Sequence, residues 1–236
     1  MDTIFLITIL VVIFALAFDF INGFHDTANA IATSVSTRAL KPRVAVLMAA
    51  IMNFIGALTF VGVAKAIASN IVDPMSLNAF EGDVTGSVVI LAALCSAITW
   101  NLLTWYYGIP SSSSHTLIGS LAGAAIGAAG FSILNYDGFL NILAALIISP
   151  ILALTVGFIV MSLFKIFFRN LGLYKTNSRF RLVQILTAAV QSFTHGTNDA
   201  QKAMGIITMA LIAAGFQTGD EVQGWVRIAC ATAMGL

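Results

Sequence analysis

Strongly polar side chains interrupt an apolar stretch near the start of the chain. Residues 20–33 read FINGFHDTANAIAT and contain Asn22, His25, Asp26 and Asn29. An ionised side chain within a membrane segment costs about 2.5 kcal/mol or more on insertion scales, so such residues usually mark a functional site. Carboxylate, amide and backbone oxygens are the ligands that hard cations prefer. The pattern therefore predicts a cation site that includes Asn22 and Asp26.

A related stretch recurs 173 positions later. Residues 193–206 read FTHGTNDAQKAMGI, and four identities fall in register, namely Phe20/Phe193, Gly23/Gly196, Asp26/Asp199 and Ala30/Ala203. Asn198 and Asp199 repeat the chemistry of a cation site. Lys202 adds a positive charge that can balance a bound anion or pair with Asp199. The chain thus carries two copies of one motif.

A run of four serines follows a Gly-Ile-Pro sequence in the middle of the chain. Residues 110–115 read PSSSSH. A proline at a helix start followed by hydroxyl side chains presents free backbone N–H groups and the positive end of the helix dipole. A simple N-cap needs only one serine. The run therefore predicts an anion site at the start of a helix.

Three histidines lie beside these motifs and suggest a different chemistry. His25 and His195 adjoin the two copies, and His115 adjoins the serines. Together with an aspartate they could form a metal centre of an intramembrane enzyme. No His-x-x-x-His spacing favours a metal, so this is the less favoured hypothesis.

The composition is that of a membrane protein. Hydrophobic residues make up 59% of the chain and charged residues 9%, and the mean hydropathy is +0.97, which is far from the usage of soluble domains. Apolar runs of about 20 residues, enough to cross a bilayer, recur throughout. We therefore expect an all-α, polytopic domain whose partner is the lipid bilayer and not a nucleic acid.

The apolar runs also predict where the helices break. Residues 3–37 would form a helix about 50 Å long, so we expect a break at Asn22-Gly23. The next crossing is predicted over residues 44–69. A third helix over 84–107 should break at Gly108-Ile109-Pro110 and continue to Gly130, as a re-entrant hairpin or as two crossings. Glycines at 119, 123 and 127 predict close packing of that helix against another, and a last long span is predicted over 140–168.

The positive charges predict the topology. Eight of the eleven Lys and Arg residues lie in two regions, namely Arg38, Lys41 and Arg43, and Lys165, Arg169, Lys175, Arg179 and Arg181. By the positive-inside rule both regions are cytoplasmic, which places the N-terminus outside a multi-pass protein of the plasma membrane. The two motif copies then enter the membrane from opposite sides. Inverted repeats with broken helices are typical of secondary transporters.

We divide the chain into a first repeat over residues 1–168, a basic cytoplasmic loop over 169–181, and the start of a second, inverted repeat over 182–236. The final apolar stretch, Trp225 to Leu236, has 12 residues, fewer than the ~20 that span a bilayer. We expect the parent gene to continue for roughly another hundred residues. A second serine- or threonine-rich helix break is predicted near positions 284–287.

These motifs resemble those of the PiT family of inorganic phosphate transporters. The resemblance rests on GFHDTANA at residues 23–30, on GTNDAQKA at 196–203, and on PSSSSH, which is similar to the family's Pro-x-Ser-Thr-Thr-His element. It implies that phosphate is bound by Asp26, Asn29, Asp199 and the hydroxyl run Ser112, Ser113 and Ser114. His25 and Lys202 stand where the family often has asparagine, and these departures bear on the number and kind of coupling cation.

The sequence thus predicts a secondary active transporter that imports inorganic phosphate together with Na⁺ or H⁺ and needs no other cofactor. An inside-negative potential opposes anion entry by about 2.3 kcal/mol per charge per 100 mV, so cations must accompany the phosphate. Lys202 is included among the substrate ligands, and Asn22, Asp26, Asn198 and Asp199 are the predicted cation ligands. Permeases for sulfate or metal phosphate remain alternatives, and a homo-oligomer remains open.

Overall fold

The computed structural model describes residues 2–64, 84–169 and 173–236. The regular elements within these ranges are helices: α1 (Asp2–Ser36), α2 (Pro42–Ala57), α3 (Thr85–Tyr107), α4 (Ser113–Ala129), a 3-10 turn (Phe131–Ile133), α5 (Tyr136–Phe168), α6 (Leu173–Ala213) and α7 (Gly224–Gly235). Most of α1, together with α3 and α5, is long and apolar enough to cross a membrane. The predicted all-α membrane fold is confirmed.

Helices α1 and α6, which carry the two motif copies, run antiparallel. At one end the ring of Phe5 packs edge-on against Phe216, just beyond α6, with the ring centroids 6.2 Å apart. At the other end Ser34 Oγ donates a hydrogen bond to the carbonyl of Gln184 at 3.2 Å. Residue numbers therefore rise along α1 as they fall along α6. The inverted arrangement of the two copies is confirmed for these helices.

The predicted break at Asn22-Gly23 is wrong, because α1 is one continuous helix of 35 residues. Helix α6 likewise continues through Gly196. A Cβ atom on Gly23 would lie 2.7 Å from the backbone oxygen of Met234, and one on Gly196 would overlap the backbone of Asn53. The motif glycines therefore let a neighbouring backbone approach closely, while the intact helix keeps its polar groups bonded within the membrane.

These close approaches interlock the two copies. Gly23 of the first copy lies against α7 of the second, and Gly196 of the second lies against α2 of the first. On α2, Gly56 also meets the backbone of Phe193, so the crossing of α2 and α6 has glycine on both sides. Each copy thus packs its motif helix against the second helix of the other copy.

The predicted second crossing, residues 44–69, contains an interruption that the sequence did not indicate. Helix α2 ends at Ala57, and the chain is helical again from residue 62. The carbonyl of Leu58 accepts a hydrogen bond from the Arg227 guanidinium. Two backbone N–H groups after the interruption, those of residues 63 and 64, donate to Gln201 Oε1 at 2.7 and 3.3 Å. Side chains from the second copy therefore replace the backbone bonds that the interruption removes. The remainder of the predicted crossing, residues 65–69, lies outside the described residues.

The predicted break at Gly108-Ile109-Pro110 is confirmed. Gly108 ends α3 with φ of +65°, in the left-handed region that favours glycine, and α4 begins at Ser113. Helices α3 and α4 pack together as a hairpin, and α3 also packs on α1. A Cβ atom placed on Gly119, Gly123 or Gly127 would have no atom of the described residues within 4 Å. The close helix packing predicted for these glycines is therefore not found there.

The last predicted span of the first repeat is α5, which begins four residues earlier than expected. Asn135 caps it by accepting a hydrogen bond from the N–H of Gly138 at 3.1 Å. No residue of α5 is buried within the described part of the chain. The region predicted as a basic loop, residues 169–181, is helical from Leu173. The acidic residues 73, 81 and 83 lie outside the described residues.

The main apolar core lies where α1, α3, α4, α6 and α7 meet. Its largest members include Phe18, Leu94, Leu121, Met204 and Met209, all nearly or fully excluded from solvent. Many of the other members are alanines, which allow helix axes to approach closely. This core fixes the hairpin of α3 and α4 against the two motif helices.

We predict that Gly196→Ala lowers the thermal stability of the detergent-purified complete gene product strongly, because its Cβ would overlap the backbone of Asn53. Overpacking of this kind costs about 1–3 kcal/mol or more. Gly123→Ala is the matched control, since its Cβ meets open space. Equal melting temperatures for the two variants would contradict the close crossing of α2 and α6.

Candidate functional site

The serine tip of the hairpin lies against both motif helices and forms with them an open cavity of about 340 Å³. The cavity is lined by Asp26, Asn29, Ala30, Ser111, Ser112, Ser113, Ser114, Gln191, His195, Asp199 and Lys202. All seven predicted substrate ligands are in this set. The fold therefore brings residues from three separate stretches of sequence to one place.

The site lies within the motif helices and not at their ends. Asp26 precedes the end of α1 by ten residues and Asp199 precedes the end of α6 by 14, which correspond to about 15 and 21 Å along the helix axes. The hairpin tip therefore meets α1 and α6 partway along their lengths. This position agrees with the predicted re-entrant hairpin.

Ser113 connects the two copies of the motif. Its hydroxyl lies 3.1 Å from Asp199 Oδ2 and 3.5 Å from Asp26 Oδ2, and it accepts a hydrogen bond from Lys202 Nζ at 2.8 Å. A serine hydroxyl has one proton, so it can donate fully to only one carboxylate at a time. The shorter distance favours Asp199.

Lys202 pairs with Asp199, which was one of the two roles predicted for it. Its Nζ lies 2.9 Å from Asp199 Oδ2, and the residue is only 6% exposed. A buried lysine needs an ionic or hydrogen-bonding partner to offset the loss of hydration, and Asp199 and Ser113 both serve. The ammonium group therefore lies inside the cavity and does not reach out to the membrane surface.

Each motif aspartate has a histidine beside it. His25 Nδ1 lies 3.0 Å from Asp26 Oδ1, and His195 Nε2 lies 3.6 Å from Asp199 Oδ2. The third histidine, His115, is exposed and bonds to Ser112 Oγ at 2.8 Å. Among the described residues no group of possible metal ligands contains more than one histidine, so a three-histidine metal centre is not formed there.

The described residues nevertheless contain one set of side chains that could hold a cation. One ligand atom each from Asp26, His195 and Asp199 lie within 4.8 Å of one another. Two carboxylates and an imidazole can bind either a divalent metal or, through the oxygens, a hard monovalent ion.

Asn53 orients the histidine of this set, and the sequence analysis missed it. Asn53 Nδ2 donates to Thr27 Oγ1 at 2.9 Å, which leaves its Oδ1, 3.0 Å from His195 Nδ1, as an acceptor. In this arrangement His195 Nδ1 acts as the donor, and a neutral imidazole of this tautomer has its unprotonated Nε2 on the side of Asp199. The feature of the sequence that could have indicated this role is the position of an asparagine within the apolar run of α2.

Two of the predicted cation ligands do not line the cavity. Asn22 is buried and its Oδ1 accepts a hydrogen bond from Asn101 Nδ2 at 3.2 Å, so it joins α1 to the hairpin. Asn198 is exposed. Their assignment depended on broken helices with outward-turned backbone. Asn22 lies one helical turn before Asp26 on α1, where its bond to Asn101 engages it.

Asp19 is a buried carboxyl beside the site that the motifs did not emphasise. It is 0% exposed, and no nitrogen or oxygen within the described ranges bonds to either carboxyl oxygen. Cys230 of α7 lies beside it, and Asp199 and Lys202 are close enough to act on its charge. An unpaired carboxylate in such surroundings is costly, which distinguishes Asp19 from the hydrogen-bonded carboxylates of the cavity.

The chain matches the model of the phosphate transporter family over residues 22–173 and 170–236. The chain belongs to the phosphate transporter family. The predicted resemblance is thus confirmed, and the intramembrane metal enzyme is set aside because the named members of the family are transporters.

Relatives within the family support this membership. The chain is 66% identical to a probable low-affinity inorganic phosphate transporter of Bacillus subtilis, of which it spans 69%. It is 44% identical to a protein of the same description from Mycobacterium leprae, of which it spans 53%. It is 36% identical to the low-affinity inorganic phosphate transporter PitA of Escherichia coli, of which it spans 49%. These alignments cover 100, 96 and 93% of the chain.

A solved structure has the same fold. The structure described as the sodium-dependent phosphate transporter superposes with a TM-score of 0.77 at 22% identity, covering 97% of this chain and 74% of that one. Because the sequence identity is only 22%, this likeness shows a shared fold and nothing more.

We predict that His195 has its proton on Nδ1 and that Asn53→Ala releases this preference. Nitrogen NMR of histidine-labelled complete gene product, assigned with a His195→Gln variant, measures the tautomer. Asn141→Ala, on the exposed helix α5, is the control and should leave the His195 signals unchanged. A wild-type His195 protonated only on Nε2 would contradict the orientation by Asn53.

Proposed function

We propose that the chain forms part of a secondary active transporter that imports inorganic phosphate by cation symport. The observation that carries the proposal is the contact of one hairpin-tip hydroxyl, that of Ser113, with carboxylates from both antiparallel copies. Inverted repeats that meet at a polar site inside the membrane are typical of secondary transporters. The inorganic phosphate transporters among the relatives support the choice of substrate.

The start of α4 provides the anion-binding groups. Ser112 is the N-cap and its side chain accepts a hydrogen bond from the N–H of His115 at 3.4 Å. The N–H groups of Ser113 and Ser114 precede that bond at the positive end of the helix dipole, where an anion is stabilised. Asn29 and Lys202 add side-chain donors from the two motif helices. Phosphate oxygens are then bound by the tip and by both copies.

The aspartates favour phosphate over sulfate. At neutral pH phosphate retains a proton that can be donated to a carboxylate, whereas sulfate has none. Asp26 lies at the cavity with one oxygen 3.5 Å from Ser113, a long and weak hydrogen bond, so this oxygen can accept a stronger one from the substrate. A sulfate at the same position would face a carboxylate without a proton between them.

Charge balance requires a coupling cation. The cavity contains two carboxylates and one ammonium group, so with neutral histidines its side chains carry one net negative charge. An entering phosphate adds further negative charge in a region of low dielectric. A cation at the Asp26, His195 and Asp199 cluster offsets this repulsion. Na⁺ and H⁺ both suit a carboxylate, and the same cluster would suit the metal of a metal phosphate.

The complete gene product in proteoliposomes tests the substrate and the coupling ion. We expect uptake of labelled phosphate that follows an imposed Na⁺ or H⁺ gradient, and Asp26→Asn should abolish it because both the cation ligand and the proton acceptor are weakened. Asp137→Asn, at the exposed start of α5, is the matched control.

The competing outcomes are distinct. Near-normal uptake by the Asp26→Asn variant would mean that Asp26 has only a structural role. Uptake that requires Mg²⁺ in the assay would favour a metal phosphate as the substrate. Stronger competition by sulfate than by unlabelled phosphate would reject phosphate selectivity.

We further propose that the protein lies in the plasma membrane with its N-terminus outside. In a variant lacking Cys95 and Cys230, a cysteine at Thr37 should be protected from an impermeant thiol reagent in intact cells, because it adjoins the basic residues 38–43. A cysteine at Thr218, between α6 and α7, should react. Both positions are exposed, so a reversed pattern would overturn the orientation.

A further inference from the structure

The two motif copies differ at one position inside the cavity. With the offset of 173 that aligns Asp26 with Asp199, Lys202 corresponds to Asn29. Both side chains line the cavity, three residues after their respective aspartates. The first copy therefore presents a carboxylate with a neutral amide, and the second presents a carboxylate with a positive charge.

The ammonium group of Lys202 occupies a position suited to a bound cation. Its nitrogen lies 2.9 Å from Asp199 Oδ2 and 2.8 Å from Ser113 Oγ, and these two oxygens are 3.1 Å apart. A hard cation prefers such a carboxylate and hydroxyl pair. The lysine ammonium is a compact charge with three donors, so it satisfies both oxygens as an ion would.

Asp26 lacks an equivalent lysine. Its oxygens are approached by His25 Nδ1 at 3.0 Å and by Ser113 at 3.5 Å, and among the described residues no lysine or arginine forms an ion pair with it. Its half of the cavity therefore retains a carboxylate without a fixed counter-charge.

We propose that Lys202 is a tethered counter-ion that replaces a mobile coupling cation in the second copy. One mobile cation then binds at the cluster of Asp26, His195 and Asp199, on its Asp26 side. Each phosphate is accompanied by one cation fewer than in a site with asparagine at both positions. The expected change in the number of cations per phosphate rests on the proposed phosphate symport. The fixed charge at Asp199 follows from the geometry of the site itself.

Lys202→Asn is the decisive variant, because it gives the second copy the same pair of residues as the first. We expect this variant of the complete gene product to gain a Na⁺ site, measured by equilibrium binding of radioactive Na⁺ to purified protein without phosphate. In proteoliposomes its phosphate uptake should fall at least tenfold at low Na⁺ and recover at high Na⁺, with one more Na⁺ transported per phosphate. Lys202→Arg, which keeps the charge, should gain no Na⁺ site.

The controls separate this inference from the proposed function. Lys165→Asn removes an exposed lysine and should bind and transport like the wild type. If the wild-type protein takes up no phosphate, the proposed function fails, while the Na⁺ binding experiment still decides the role of Lys202. Unchanged Na⁺ binding by Lys202→Asn would overturn the tethered counter-ion. An unchanged cation number with a raised KM for phosphate would likewise overturn it and make Lys202 a substrate ligand only.

Discussion

The structure depends on placing two aspartates from antiparallel helices next to one another inside a membrane protein. Like charges at such a distance repel strongly when water is excluded, and each carboxylate also loses hydration. Ser113 lies between Asp26 and Asp199, and Lys202 neutralises the second of them. The hairpin of α3 and α4 must therefore reach this depth, because its tip supplies the hydroxyl between the carboxylates.

The surrounding helices satisfy this requirement by close approach and not by local unwinding. Asparagine and glycine in an apolar run indicated a break to us, but Gly23 and Gly196 are sites where one backbone meets another. An intact helix satisfies its own N–H and C=O groups, whereas each broken turn needs replacement partners. The one interruption that we observe after α2 has such partners in Arg227 and Gln201. At this interruption the other copy supplies the side chains that replace the lost backbone bonds.

Much of the candidate site could be predicted from the sequence because its polar residues are unusual within apolar segments. Asp26, Asp199 and the serine run are polar groups in apolar segments, and the structure brings them together at one cavity. Asn53 and His195 form a pair whose members are 142 positions apart, and no local pattern indicates such a contact. Asn22 and Asn198, which were predicted cation ligands, lie outside the cavity lining, because helix packing decides which side chains reach the cavity and spacing alone does not determine it.

The single proton of Ser113 also links occupancy of the site to the relation between the two copies. The Ser113 hydroxyl lies 3.1 Å from Asp199 and 3.5 Å from Asp26, so the distances favour a hydrogen bond to Asp199. An anion that accepts a hydrogen bond from this hydroxyl removes the hydrogen bond between the hairpin tip and the carboxylate. Asp26 and Asp199 belong to helices of opposite copies, so this hydrogen bond is one of the contacts through which the tip joins them. An anion bound at the hairpin tip would therefore change a hydrogen bond that connects the two copies.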